Sequence, residues 1–177
     1  MTGQLSSRDV LIERLGELHR EVDALASQLA ARHGGRLSCR RGCSGCCQDN
    51  LSLLPIEAAR IRMYHARLLE QGRPHDPGVC AFLDNDGACR IYEQRPYVCR
   101  TQGLPLRWFE EDDDSWAREF RDVCQLSLQR VDLELLPEHG LWLIGPFEIR
   151  LTSLQAEFGG AKMQRVHMRT LFRSTAL

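Results

Sequence analysis

The stretch from Cys39 to Cys47 reads Cys-Arg-Arg-Gly-Cys-Ser-Gly-Cys-Cys and places four sulfurs within nine residues. Four more cysteines follow singly at Cys80, Cys89, Cys99 and Cys124. Core packing does not call for thiols this dense, because another small apolar side chain fills the same volume without the redox hazard. The alternatives are disulfides or metal. Cys39, Cys43 and Cys46 stand at i, i+4 and i+7, so a helix or a tight knuckle gathers them on one side. Gly42 and Gly45 let the backbone fold closely and turn amide N–H groups toward sulfur. Cys46 and Cys47 point apart as neighbours and share one tetrahedral ion only with strain. The pair therefore suggests two neighbouring metals, or one ligand with a second thiol beside it.

Charge bears on the choice. Four thiolates around one Zn²⁺ leave a local charge of about −2, which calls for donors and cations nearby. Arg36, Arg40, Arg41, Arg90 and Arg100 each lie within a few residues of a cysteine and are candidates for that role. The 177-residue length suits one domain with a single core. With 43% hydrophobic and 27% charged residues and a net charge of −1, the composition is that of an ordinary globular protein and carries no nucleic-acid signal. No apolar run approaches the ~20 residues of a membrane span. The first residues lack the basic and apolar regions of a signal peptide. The expected compartment is the cytoplasm, where thiols stay reduced and clustered cysteines favour metal over disulfides.

The motif Cys39-x3-Cys43-x2-Cys46-Cys47, followed by Cys80 and by Cys89-Arg-Ile-Tyr-Glu-Gln-Arg-Pro-Tyr-Val-Cys99-Arg100, resembles the YkgJ-type cysteine-cluster family. The likeness covers about residues 39–104, with Cys124 as a trailing member. That family is described as chelating zinc or iron, and the resemblance implies one of those metals here. The family pattern usually has two residues in its first gap, whereas this chain has three. All eight cysteines, Cys39, Cys43, Cys46, Cys47, Cys80, Cys89, Cys99 and Cys124, are the candidate ligands.

Apolar residues at Leu11, Leu15, Leu18, Val22, Leu25 and Leu29 predict an amphipathic helix over 7–31, capped by Ser7 and stopped by Gly34-Gly35. It packs on its own core or offers a face to a protein partner. Pro55 opens a second helix to Gln71, with Ile56, Ala59, Met63, Ala66 and Leu69 as its buried face. His65 in that helix is a further possible ligand, though histidines there more often serve the core or surface. After a loop at Gly72–Gly78, Val79–Leu83 and Ala88–Tyr92 read as strands around an Asp84–Gly87 turn. That hairpin sets Phe82 opposite Cys89 and Cys80 opposite Ile91, leaving the two thiols diagonal neighbours on one face. Pro96 starts another helix with Cys99 in its first turn, where the dipole favours a thiolate. Glu110–Asp114 is a solvated loop or face. Ser115 caps a helix carrying Trp116, Phe120, Val123 and Cys124, while Leu133–Leu136 and Leu141–Ile144 supply apolar surface. Pro146 begins a helix that ends at Gly159-Gly160. Lys162, Arg165, Arg169 and Arg173 form a basic face if the last segment is helical, whereas Val166, Met168 and Phe172 alternate if it is extended.

The expected fold is mainly α with a small β-hairpin, one cysteine-rich domain over 1–177 organised around a thiolate metal site. Its parts are the N-terminal helix, a cysteine-cluster region over 39–104 and a helical part over 115–177. The expected function is a small metalloprotein whose zinc or iron is structural. The alternative is an iron–sulfur protein with a redox or SAM-dependent role, because Cys39-x3-Cys43-x2-Cys46 has the radical-SAM spacing. Against it, Gly45 replaces the usual aromatic residue, and no series of strand–helix units builds a partial barrel. No Ser/His/Asp set or phosphate loop is present.

Overall fold

The structure, a computed structural model, describes residues 6–111, 117–159 and 164–172. Its contacts divide the chain into two compact units. The first holds Met1–Leu18, Arg40–Pro96 and Leu151–Leu177, and the second holds His19–Cys39 and Tyr97–Arg150. Helix α1 (Ser7–Arg32) belongs to the first unit over 7–18 and to the second over 19–32. Its cap is Ser6, one residue earlier than expected: the Asp9 N–H donates to Ser6 Oγ and the Ser6 N–H donates back to Asp9 Oδ2. The apolar stripe is buried at Leu15, Leu18, Val22 and Leu29, with Ile12 added, while Leu25 stays exposed. Gly34 and Gly35 have φ of +56° and +79° and stop the helix in the left-handed region where a Cβ is unwelcome.

In the first unit, a two-residue strand β1 (Ser52–Leu53) leads into α2 (Pro55–Gln71), with Pro55 at the first helical position. Glu57 Oε2 accepts the Leu54 N–H at 3.2 Å and so closes the helix start. The buried face differs from the expected one. Ile56, Ala58, Ile61 and Leu69 face the core, whereas Met63 is 42% exposed and Ala66 is also on the surface. Met63 carries as much apolar area as Ile61, so the surface the helix packs against, and not residue size, selects the stripe. Non-helical angles at His65 kink the helix between these positions. The core gathers Leu53, Ile61, Phe82, Ile91, Leu171 and Phe172, with the Phe82 and Phe172 rings 4.9 Å apart. Burying a side chain of this size contributes about 1.5–3 kcal/mol.

The expected hairpin strands at 79–83 and 88–92 are absent. A single antiparallel bridge joins Leu83 to Cys89, and Tyr92–Gln94 is a 3-10 turn. Asp84 is the cause. Its Oδ1 accepts the N–H groups of Asp86 and Ala88, so its own side chain organises the turn and pairing stops after one step. The bridge also shifts the register by one residue, placing Leu83 and not Phe82 opposite Cys89. The last segment is extended: β5 (Val166–His167) pairs antiparallel with β1, and a 3-10 turn follows at Met168–Leu171. No basic helical face forms at Arg165 and Arg169. Lys162 and Arg173 lie outside the described residues.

In the second unit, α3 (Tyr97–Thr101) is a five-residue helix. Strands β2 (Leu106–Glu111) and β3 (Ala117–Asp122) pair antiparallel, and β4 (Trp142–Leu143) adds to β2 in parallel. The helix expected from Ser115 is therefore replaced by a strand, and the expected helical part over 115–177 contains three strands. Trp108 stacks on Phe120 across the pair at 5.6 Å, and Glu110 stands opposite Arg118. Those cross-strand partners outweigh the helical spacing of 116, 120, 123 and 124. Glu110 and Glu111 are exposed as expected but lie in β2, while Asp112–Trp116 lie outside the described residues. Leu133–Leu136 contributes little to the interior, since Leu135 is 81% exposed, whereas Leu141 and Trp142 are buried. Trp142 Nε1 donates to Tyr97 Oη at 3.1 Å. Helix α4 (Gly145–Gly159) has Pro146 in its first turn and runs from this unit into the first.

Candidate metal centre

None of the eight cysteines, all of which lie among the described residues, is in a disulfide. Cys43, Cys46, Cys47, Cys80 and Cys89 fall in the first unit, and Cys39, Cys99 and Cys124 fall in the second. The densest stretch is a knuckle and not a helix. The Cys43 N–H donates to Arg40 O and the Cys47 N–H to Ser44 O, each at 2.9 Å, which makes two successive tight turns. Gly42 supplies the φ of +89° that the first turn requires. Cys47 donates a hydrogen bond to the Cys46 sulfur, and that bond holds Cys46 down at about 6.

Cys80 and Cys89 come from the turn that follows. The Cys80 N–H donates to Cys47 O at 2.9 Å, tying the knuckle to the start of this segment. Cys80 is buried and Cys89 half-buried, and loss of water raises both thiols above their ordinary value. Backbone hydrogen bonds from Phe82 to Cys80 and from Ile91 to Cys89 oppose that rise. Each donor lies two residues after its sulfur, an arrangement that stabilises a thiolate whether bare or metal-bound. The two sulfurs are close enough that charge on Cys80 raises Cys89 further. A cation or an ion between such groups relieves this conflict.

In the second unit, Cys39 rests on Gly103. A Cβ added to Gly103 would lie 2.5 Å from Cys39 Cβ and 3.2 Å from its sulfur. Ser38 ties the same strand of chain to the Cys124 turn: its N–H donates to Ser127 Oγ at 3.0 Å and its hydroxyl to Leu126 O. The Ser127 N–H in turn donates to Cys124 O at 2.7 Å. Cys99 sits at the centre of α3, a helix too short to develop much of a macrodipole.

Of the five arginines singled out as counter-charges, Arg90 acts on both Cys80 and Cys89. Burial lowers its pKa, and the charges of Asp84, Cys80 and Cys89 pull it back up. Arg100 is buried against Asp23, the Arg36 Nε–H donates to His33 O, and Arg40 and Arg41 are exposed. Arg169 and Arg95, not singled out from the sequence, act on Cys80 and Cys89 respectively. Arg169 also pins the loop before Cys80 by donating to Asp49 Oδ1 and to the carbonyls of His75, Asp76 and Val79. His65 is hydrogen-bonded to Gln94 Oε1 at 2.8 Å. Among the described residues, no three His, Cys, Asp or Glu side chains converge closely enough to hold an ion together. The donor chemistry nevertheless suits a thiophilic metal: soft sulfur ligands, amides directed at sulfur, and guanidinium groups around them.

A family model described as "Putative zinc- or iron-chelating domain" and labelled CxxCxxCC matches residues 38–125, a span that contains all eight cysteines. No curated protein and no solved structure matches the chain significantly.

Proposed function

We propose, from the match of residues 38–125 to the CxxCxxCC domain model, that the chain is a metal-binding protein whose zinc or iron is held by cysteine thiolates. The ion is structural in this reading. The single observation that carries it is the Cys80–Cys89 pair, two desolvated thiols that each receive a backbone amide, with the charge of Cys80 raising Cys89 further. Leaving such a pair without a cation is unfavourable, and a divalent ion converts the repulsion into attraction. The ligand candidates are Cys43, Cys46, Cys47, Cys80 and Cys89 in one unit and Cys39, Cys99 and Cys124 in the other. An ion bound among them supplies folding free energy, since the short loops at 43–47 and 80–89 cost little entropy to close.

The test is the metal content and colour of anaerobically purified protein. A colourless sample with bound zinc, or iron without inorganic sulfide, supports the reading. Titration of the denatured, chelated chain without reductant then recovers eight thiols. A brown sample with sulfide-to-iron charge-transfer absorption replaces the structural ion with an iron–sulfur cluster. Protein that takes up no metal after anaerobic reconstitution, or that yields four disulfides, overturns the proposal.

A further inference from the structure

Away from the cysteines, the first unit carries a cavity of about 490 Å³ at the start of α2. Its wall includes Arg8, Pro55, Gln155, Phe158, Arg165 and His167, and it contains no Asp or Glu. The floor is Gln155, which has no solvent exposure. Its Oε1 accepts the Ile56 N–H at 2.9 Å. Because that backbone group can only donate, the orientation of the amide is settled, and Nε2 faces the other way. Among the described residues this nitrogen has no hydrogen-bond partner. A buried donor left unmade costs about 1–3 kcal/mol, so its persistence calls for a reason. Nε2 faces Gly159, where a Cβ would come within 3.0 Å of it. Glycine at that position adds no side chain against the amide.

Cations surround the same space. Arg165 donates from Nε to Ser52 Oγ at 2.9 Å and from Nη2 to Ser52 O at 2.6 Å, which fixes the guanidinium and leaves Nη1 for another acceptor. Arg8 stacks over the Phe158 ring at 4.4 Å. Neither arginine has a carboxylate partner among the described residues. Arginines near a helix C-terminus commonly serve its last carbonyls, yet these two are held by Ser52 and Phe158. The N-terminus of α2, a helix of 17 residues, adds partial positive charge beside Pro55. Glu57, in the same first turn, is buried and accepts from Leu54.

We infer that this cavity binds the phosphoryl group of a small organic phosphate. Guanidinium groups with several donors suit a phosphoryl group, which offers multiple acceptor oxygens. Phe158, Val166 and Pro55 provide an apolar wall for the organic part, and the volume falls in the range of small-molecule sites. The inference is independent of the metal reading, because none of the cavity's residues is a cysteine.

The experiment titrates the full-length chain, as purified with its metal, with phenyl phosphate and with inorganic phosphate at constant ionic strength. Binding is read by calorimetry and by the side-chain amide resonances of Gln155. Phenyl phosphate is expected to bind about tenfold more tightly than inorganic phosphate and to shift the Gln155 amide signals, the extra affinity coming from its buried ring. Arg165→Gln and Arg8→Gln each weaken binding by about tenfold or more, the usual loss for a charge-assisted hydrogen bond. Gly159→Ala also weakens it by narrowing the approach to Nε2, with the melting temperature as a check on its fold. Arg8 is exposed, so its variant tests the site even if another fails to fold. Equal affinity for the two phosphates overturns the organic-phosphate assignment. Absence of binding, or affinity unchanged in both arginine variants, overturns the site.

Discussion

Replacing Gly103 by alanine tests the contact that positions Cys39. Gly103 has a φ of +90°, and its new methyl would meet Cys39 Cβ at 2.5 Å and the sulfur at 3.2 Å. The left-handed backbone alone costs an L-residue about 1–2 kcal/mol. Forcing a methyl into occupied space adds about 1–3 kcal/mol, so the total is about 2–5 kcal/mol. Gly34 provides the control, because its φ is +56° and nothing lies within 4 Å of an added Cβ. Gly34→Ala therefore bears only the backbone cost of about 1–2 kcal/mol. In a chain of 177 residues, each kcal/mol lowers the melting temperature by about 2–4 °C. Gly103→Ala is expected to melt about 5–15 °C below the parent and well below Gly34→Ala. Calorimetry of both variants reads the difference, and alkylation of Cys39 followed by peptide mapping shows whether its sulfur has been displaced. If the two variants melt together and Cys39 reacts as in the parent, the contact does not hold Cys39 in place.

Cys80→Ser and Cys89→Ser are each expected to release metal to a similar extent, with the double change adding little; full retention in either single variant removes that residue from the ligand set. In metal-free protein, Cys46 has its pKa lowered to about 6, so its thiolate persists above that pH and is lost below it. Alkylation of Cys46 should therefore fall off near pH 6, while Cys80 and Cys89, pushed the other way by burial, react only at pH higher than an ordinary thiol requires. A common pH profile for all three would contradict this. Arg169→Ala leaves the carbonyls of His75, Asp76 and Val79 without their donor. The cost of about 2 kcal/mol should appear as a drop of about 4–8 °C in melting temperature, with Asp49 losing the ion pair to Arg169 at the same time.

The helices marked by proline and glycine were legible in the sequence. Pro55 and Gly72 bracket α2, and Pro146 and Gly159 bracket α4, because proline lacks the N–H that a first turn leaves unused and glycine ends a helix cheaply. Which face of α2 points inward was not, since Ala59 and Ala66 match the period as well as Ile61 does and only the partner surface separates them. The strand at 117–122 was hidden by a plausible cap at Ser115, and its pairing depends on Trp108 and Glu110, which no local window contains. The number and spacing of the cysteines pointed to metal binding, which the match of residues 38–125 to a zinc- or iron-chelating domain model supports. Their supports, Gly103 beneath Cys39 and Arg169 across the loop before Cys80, lie far away in sequence. Long-range placement of this kind leaves no periodic trace.

The Arg169 clasp has a consequence for the order of events on the ribosome. Val79, whose carbonyl it holds, precedes Arg169 by 90 positions. At a synthesis rate of about 5–20 residues per second, the Cys80 segment waits about 5–20 s for its clasp to be made. Met168, Leu171 and Phe172, which cover the same part of the core, emerge together with Arg169 at the end of that interval. The knuckle cysteines therefore leave the ribosome with their thiols exposed well before the structure that shelters Cys80 can close. During that window they are open to oxidation or to capture by a mismatched metal.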